Sequence, residues 1–97
     1  MLSYKITDPA EADIDQIFSY IAQDNLYHAL HWLDKIDAAI DRLANFPFMG
    51  PLRSNLSLEP LRVWPIGRYL IIYRVSHCVE ILRVVSAYRN LEDLFNP

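Results

Sequence analysis

The sequence predicts an α+β domain with the element order β-α-α-β-β-β, a helical hairpin packed on one face of a small antiparallel sheet. Three observations carry this reading. Residues 8–45 contain two apolar runs at helical spacing with almost nothing between them. Residues 61–85 contain three runs rich in β-branched and aromatic residues, separated by tight turns. The chain has 97 residues, of which 53% are hydrophobic and 22% charged. That length fits one domain, 1–97, with one core, and that composition excludes a disordered chain.

Residues 3–7 are short and rich in strand formers, and Tyr4 and Ile6 share a face of the expected opening strand. Asp8-Pro9-Ala10-Glu11 reads as a helix start. Asp8 is the expected cap, Pro9 suits the first helical position, and Glu11 stands where a capping box takes a carboxylate. Ala10, Ile14, Ile17, Phe18 and Ile21 then form one apolar stripe. Glu11, Asp13, Asp15 and Asp24 are expected on the solvated surface. The helix should end near Asn25, which is also the N-cap of the next one. Ala29, Leu33, Ile36, Ile40 and Leu43 form the second stripe. Pro47 ends it near Asn45 or Phe46. So short a connection makes an antiparallel hairpin.

Residues 46–60 hold Pro47, Gly50, Pro51 and Pro60 and read as a surface loop packed down by Phe46, Phe48, Met49 and Leu52. Three strands follow: 61–64, 69–75 and 79–85, turning at 65–68 and at Ser76-His77. The last two strands are apolar on both faces, as for central strands covered on both sides. Cys78 reads as a buried strand cysteine. The tail, 87–97, is expected to be a short amphipathic segment anchored by Leu91, Leu94 and Phe95.

Several chemistries lack their residues. Gly50 and Gly67 are the only glycines, so no glycine-rich phosphate loop exists. One cysteine excludes an internal disulfide and a cysteine-pair zinc site. His28 and His31 can share a helix face but have no third ligand in sight, and Cys78 beside His77 is no nucleophilic dyad by adjacency alone. No metal and no cofactor are expected. The apolar stretches fall short of the ~20 residues of a membrane span. The N-terminus lacks the apolar core of a signal peptide, so a cytoplasmic location with no membrane partner is expected.

The net charge of −3 conceals a division. Residues 1–41 carry eight acids and two lysines, a balance of −6, and residues 42–97 carry four acids and seven arginines, a balance of +3. Arginine's planar fork suits carboxylates and phosphates. A basic half on an acidic chain points to an anionic partner on one face. For any single arginine, pairing with the chain's own acids is the stronger reading. Arg62, Arg68, Arg74, Arg83 and Arg89, with Tyr69, Tyr73 and Tyr88, supply parts of a metal-free ribonuclease, but no acid/base pair stands with them.

The ordered set of motifs resembles the RelE/ParE superfamily of toxins from type II toxin–antitoxin pairs. The likeness runs through Ala12 to Ile17 with Tyr20-Ile21-Ala22, Asn25 with Ala29, the Leu43-to-Gly50 exit, Arg62 with Tyr69 to Val75, and Ile81 to Val85 followed by Tyr88-Arg89-Asn90. The long uninterrupted hairpin is more similar to ParE, known as an inhibitor of DNA gyrase, than to RelE, known as a ribosome-dependent mRNA endonuclease. Ser86 stands where ParE-like chains often carry a histidine, and Tyr88-Arg89 is closer to nuclease-type tails. The resemblance implies a gyrase inhibitor without chemistry of its own, neutralised by a cognate ParD-like antitoxin in a hetero-oligomer that meets DNA only through the antitoxin. Arg62, Arg68, Arg74 and Arg83 are then the expected antitoxin contacts. Tyr88, Arg89, Leu94 and Phe95 are the expected target contacts. The alternative, a RelE-like ribonuclease, would use Arg62, Arg83, Tyr88 and Arg89.

Overall fold

A computed structural model describes residues 2–95. The elements are β1 (Tyr4–Ile6), α1 (Asp8–Asp24), α2 (Leu26–Asn45), β2 (Arg62–Ile66), β3 (Tyr69–Val75), β4 (Val79–Ser86) and a short α3 (Glu92–Phe95). The four strands form one sheet in the order β1-β4-β3-β2. The β2-β3-β4 meander is antiparallel, as expected, but β1 joins the β4 edge in parallel, with Tyr4 opposite Val79 and Ile6 opposite Ile81. Both helices separate β1 from β2, and so long a crossover permits parallel pairing.

The cap of α1 is Thr7, not Asp8. Its hydroxyl oxygen accepts from Ala10 N at 3.4 Å, and the same hydroxyl donates toward the carbonyls of Ile81 and Leu82 at 2.9 and 3.1 Å. Threonine can bond both ways, so it fastens the helix start to β4, and Glu11 falls one position beyond a capping box. Asn25 closes α1 through its backbone N–H to Ile21 O and caps α2 by accepting from His28 N at 3.1 Å. One residue therefore makes the whole hairpin turn.

The sheet is covered on both faces. The hairpin contributes Ala10, Ile14, Trp32, Ile36, Ile40 and Leu43 against Ile71, Tyr73, Val79, Ile81 and Val84. Trp32 meets Tyr69 edge-on with ring centroids 5.6 Å apart. On the far face Leu56, Leu61, Val63, Ile72, Val85 and Leu91 form a second cluster, joined by Leu94 and Phe95. That cluster is built by the loop and the tail. The loop is packed down by Leu56, which is fully buried, whereas Phe46, Phe48 and Leu52 are 62%, 68% and 52% exposed. The expectation that these three would anchor the loop is corrected accordingly. Met49 does pack on the first cluster.

The β2-β3 turn is shorter than expected. β2 extends to Ile66, which pairs with Tyr69 across Gly67-Arg68. Gly67 has φ +57°, the conformation a tight hairpin takes at its first turn position. The β3-β4 connection spans 76–78, so half-buried Cys78 lies in the turn rather than in a strand. Opposite Ile72 and Tyr73, β4 carries one extra residue, Leu82, a bulge that shifts its facing.

Candidate functional site

The arginines of the basic half have different surroundings, and these decide what each can do. Arg83 turns toward the helices. Its Nε and one terminal nitrogen donate to the two oxygens of Asp13 at 2.6 and 3.0 Å. Asp13 also accepts from the backbone N–H of Val84 at 3.0 Å. β1 ends at Ile6, so the upper half of β4 has no neighbouring strand there, and the carboxylate of Asp13 takes the place of a strand carbonyl. Asp13 is 8% exposed, a correction to its expected place on a solvated face. The hydrogen bonds from Arg83 to Asp13 push the arginine's pKa above its ordinary value, so it stays charged.

Arg74 is bound by two acids of its own chain. Its Nε donates to Glu80 at 2.6 Å and a terminal nitrogen to Glu59 at 2.5 Å. The first bond joins β3 to β4, and the second pulls the loop onto the sheet. Hydrogen bonds from Arg74, then from Ser76, hold the Glu80 carboxyl below the ordinary carboxylate range. The bonds to Glu80 and Glu59 raise Arg74.

Arg62 serves the loop. One terminal nitrogen donates to the carbonyls of Phe48 and Gly50 at 3.3 and 2.7 Å, and its guanidinium carbon lies 5.1 Å from the centre of the Phe48 ring. Beside it the buried hydroxyl of Tyr73 accepts from Gly50 N at 2.9 Å and donates to Pro47 O at 2.8 Å. Burial is the main reason the phenol's pKa is raised. A Cβ on Gly50 would meet the Tyr73 hydroxyl at 2.6 Å and Val63 O at 2.7 Å, so the backbone approach needs glycine. Loop residues 46–50 are thereby fixed with two phenylalanines facing outward.

Arg68 and Arg89 stand at the opposite end of the sheet from His77. Ala87 N donates to Arg68 O at 2.8 Å, which joins the two segments that carry them. Among the described residues neither guanidinium has a hydrogen-bond or ion-pair partner. Tyr88 between Ala87 and Arg89 is 88% exposed. Leu94 and Phe95 are half-buried on the second cluster. They line a groove of about 460 Å³ shared with Arg74, Arg83 and Glu59. Arg89 lines a different cavity, of about 340 Å³, with Tyr20, Tyr69 and Ser86. The structure thus brings Arg74 and Arg83 together with Leu94 and Phe95, and places Arg89 on a second cavity whose wall includes Asp13, the partner of Arg83. His28 and His31 are exposed on α2, and among the described residues no group of three metal-ligating side chains converges. No helix of the described residues is long and apolar enough to cross a membrane.

Two groupings were missed in the sequence. Asp13 stands three residues after Ala10 and four before Ile17, inside the apolar stripe, and an acid at a core position requires a cation. Lys35 and Arg42 stand two turns apart on one face of α2 and line cavities on the β2 side. The charge count by halves had assigned Lys35 to the acidic part.

The comparisons with known proteins agree with one another. The model of a family described as "ParE toxin of type II toxin-antitoxin system, parDE" matches residues 4–91. The chain is similar to Toxin ParE1 of Caulobacter vibrioides, with 32% identity over 93% of this chain and 94% of that protein. It is also similar to Toxin ParE3 of the same organism, with 31% identity over 88% and 86%. A putative toxin of Sinorhizobium fredii, Y4kP, is 36% identical over 78% of each chain. A chain in a solved structure of a chromosomal ParDE TA system from P. aeruginosa superposes with a TM-score of 0.71 and 26% identity, covering 89% of this chain and 96% of that one.

Proposed function

The chain belongs to the ParE toxin family of type II toxin–antitoxin systems, and on that premise we propose that it arrests growth by binding DNA gyrase and is neutralised by a cognate antitoxin. The observation that carries the choice of target is the engagement of Arg83. A nuclease needs a free cation to stabilise the charged phosphate in the transition state. The Arg83 fork is taken up by Asp13. Arg62 spends donors on loop carbonyls. His77, in the β3-β4 turn, is separated from Tyr88 and Arg89 by the length of β4, eight residues, or on the order of 25 Å. Binding without bond cleavage is what such a surface does best.

In this reading exposed Tyr88 and unpaired Arg89 contact the target, and Leu94 and Phe95 hold the tail in position against the second cluster. The antitoxin interface is expected around Arg62, Arg68, Arg74 and Arg83, of which Arg68 has the freest side chain. Antitoxin and toxin form a hetero-oligomer, and operator DNA is met through the antitoxin. The exposed Tyr88-Arg89 pair is the one observation that favours a RelE-like ribonuclease instead. A side-by-side assay with purified protein decides between them. Gyrase supercoiling should fall and cleaved DNA complexes should accumulate, while mRNA on programmed ribosomes stays intact. Unchanged supercoiling with cleaved mRNA would overturn the gyrase reading.

A further inference from the structure

The outer edge of β4 is paired along only part of its length. From Val79 to Ile81 it belongs to β1: Val79 N donates to Ser3 O at 2.9 Å, and Thr7 N donates to Ile81 O at 3.1 Å. Beyond the bulge at Leu82 no strand of the described residues adjoins it. Ala87 N donates to Arg68 O at 2.8 Å, so in this antiparallel register Val85 and Ala87 bond toward β3, and Val84 and Ser86 turn their N–H and C=O groups outward. Two of those four groups are met within the chain. Asp13 accepts from Val84 N–H, and Ser86 C=O accepts from Arg89 N at 3.1 Å. The C=O of Val84 and the N–H of Ser86 have no partner among the described residues. Val84 is 1% exposed, and a buried carbonyl without a donor is rare. Both residues line the cavity of about 340 Å³ that also holds Ile17, Tyr20 and the unpaired guanidinium of Arg89.

We propose that this stretch of the β4 edge receives one residue of an extended acidic segment, running parallel to β4 and in line with β1, and that the segment belongs to the target. The first half stands on the edge alone, and naming the target rests on the function proposed above. The two free groups fix the geometry. In a parallel ladder one residue donates to the C=O before its opposite number and accepts from the N–H after it. Lys5 has that place opposite Glu80. A residue opposite Val85 would meet Val84 C=O and Ser86 N–H at once. An antiparallel segment bonds in closed pairs and would also need Val84 N–H and Ser86 C=O, which are taken. Main-chain bonds of this kind supply affinity, and the cavity supplies specificity. Ile17, Tyr20 and Tyr69 offer flanking side chains an apolar wall, and the Arg89 fork selects a carboxylate. Asp13 does not compete for Arg89, because Arg83 already binds both its oxygens. Arg89 adjoins the exposed Tyr88, so the cavity is continuous with the surface proposed for the target.

The test follows the Ser86 amide in the full chain by NMR and hydrogen exchange. In the free protein it should exchange about tenfold or more faster than the Val85 and Ala87 amides, which β3 and Arg68 protect. The probe is a capped peptide of roughly six residues that alternates valine and glutamate. It is compared with the same peptide N-methylated at every amide and with a valine-lysine version. Only the first should shift the Ser86 amide resonance and slow its exchange. Arg89→Glu should weaken that binding about tenfold at low salt. Ser86→Pro removes an N–H that the ladder does not use, so it should abolish binding with the circular dichroism spectrum unchanged. Binding that leaves Ser86 unmoved would overturn the proposal, as would binding of the methylated peptide or a Ser86 amide already protected in the free chain. Concentration-dependent protection without peptide would assign the edge to a second copy of the chain and also overturn it. With gyrase holoenzyme added, Ser86 should become protected as supercoiling falls. A fall in supercoiling with Ser86 still exchanging would refute the added strand and leave the gyrase reading standing. Peptide binding by a protein that leaves gyrase untouched would uphold the edge and refute the gyrase reading alone.

Discussion

Cutting the contact between Asp13 and Arg83 tests how α1 is fixed to the sheet. In Asp13→Leu the guanidinium loses carboxylate bonds of 2.6 and 3.0 Å, and Val84 N–H loses its acceptor. Removing one partner of a buried pair costs about 3–5 kcal/mol. The Arg83 side chain is 26% exposed, so water replaces part of what is lost, and the expected cost falls to about 2–3 kcal/mol. Arg83→Met makes the complementary cut and leaves the less exposed carboxylate with Val84 N–H alone, at about 2–4 kcal/mol. The double variant orphans no charge, only the Val84 N–H, and should cost about 1–2 kcal/mol. It should therefore match or exceed the stability of either single variant, with a coupling energy of about 4 kcal/mol. A domain of this length is stable by roughly 5–15 kcal/mol, so every variant stays folded. Urea unfolding with an unchanged m-value measures each difference. Additive single effects, or a cost below about 0.5 kcal/mol for Asp13→Leu, would refute the reasoning.

Other outcomes follow from the same geometry. Tyr73→Phe leaves Gly50 N–H and Pro47 O without their partner and should cost about 1–3 kcal/mol in urea unfolding. Gly50→Ala should also destabilise, and adding Tyr73→Phe should rescue it only in part, because the Val63 carbonyl at 2.7 Å belongs to backbone. Glu80 has a lowered pKa in the folded state, so its pairing stabilises above the ordinary carboxylate value of 4.5 and is lost as pH falls through the folded-state value. The stability gap between the wild type and Glu80→Gln should thus be constant at neutral pH and close on acidification, and titration with urea at several pH values reads it. Arg89→Glu with Tyr88→Ala touches no internal bond of those side chains, so the thermal midpoint should hold while gyrase inhibition falls by tenfold or more. Unaltered inhibition would remove both residues from the target surface.

The parts of the fold that were legible in the sequence are those with a local signal. The hairpin helices declare themselves by apolar spacing and by Asn25, and the bounds of β3 follow from its unbroken run from Tyr69 to Val75. β1 was legible as a strand but not as a parallel partner of β4, because the pairing joins residues some 75 positions apart and leaves no mark in either segment. The loop 46–60 has no periodicity, so nothing local says that Leu56 turns inward and Phe48 outward. Asp13 is a different case. Its position in the stripe was visible, and only the cation 70 residues away was not. The ParE family resemblance, by contrast, rested on a spread of weak motifs in order, and it survived each of these local errors.

Division of the cations among internal and free roles bears on how neutralisation works. Arg62, Arg74 and Arg83 bind the chain's own carbonyls and acids, so the surplus of the basic half is not a continuous patch. Among the described residues Lys5, Lys35, Arg42, Arg68 and Arg89 have no ion-pair or side-chain hydrogen-bond partner, with Lys35 and Arg42 two turns apart on α2 and Arg68 with Arg89 at the sheet end. Gly67 lines a cavity with Lys35 and Arg42, and Arg68 follows it, bonded through its carbonyl to Ala87 beside Tyr88. An antitoxin segment that pairs with Arg68 and Arg89 should restore supercoiling, and charge reversal at both arginines should abolish that rescue while leaving the thermal midpoint unchanged, because neither guanidinium has an internal partner among the described residues.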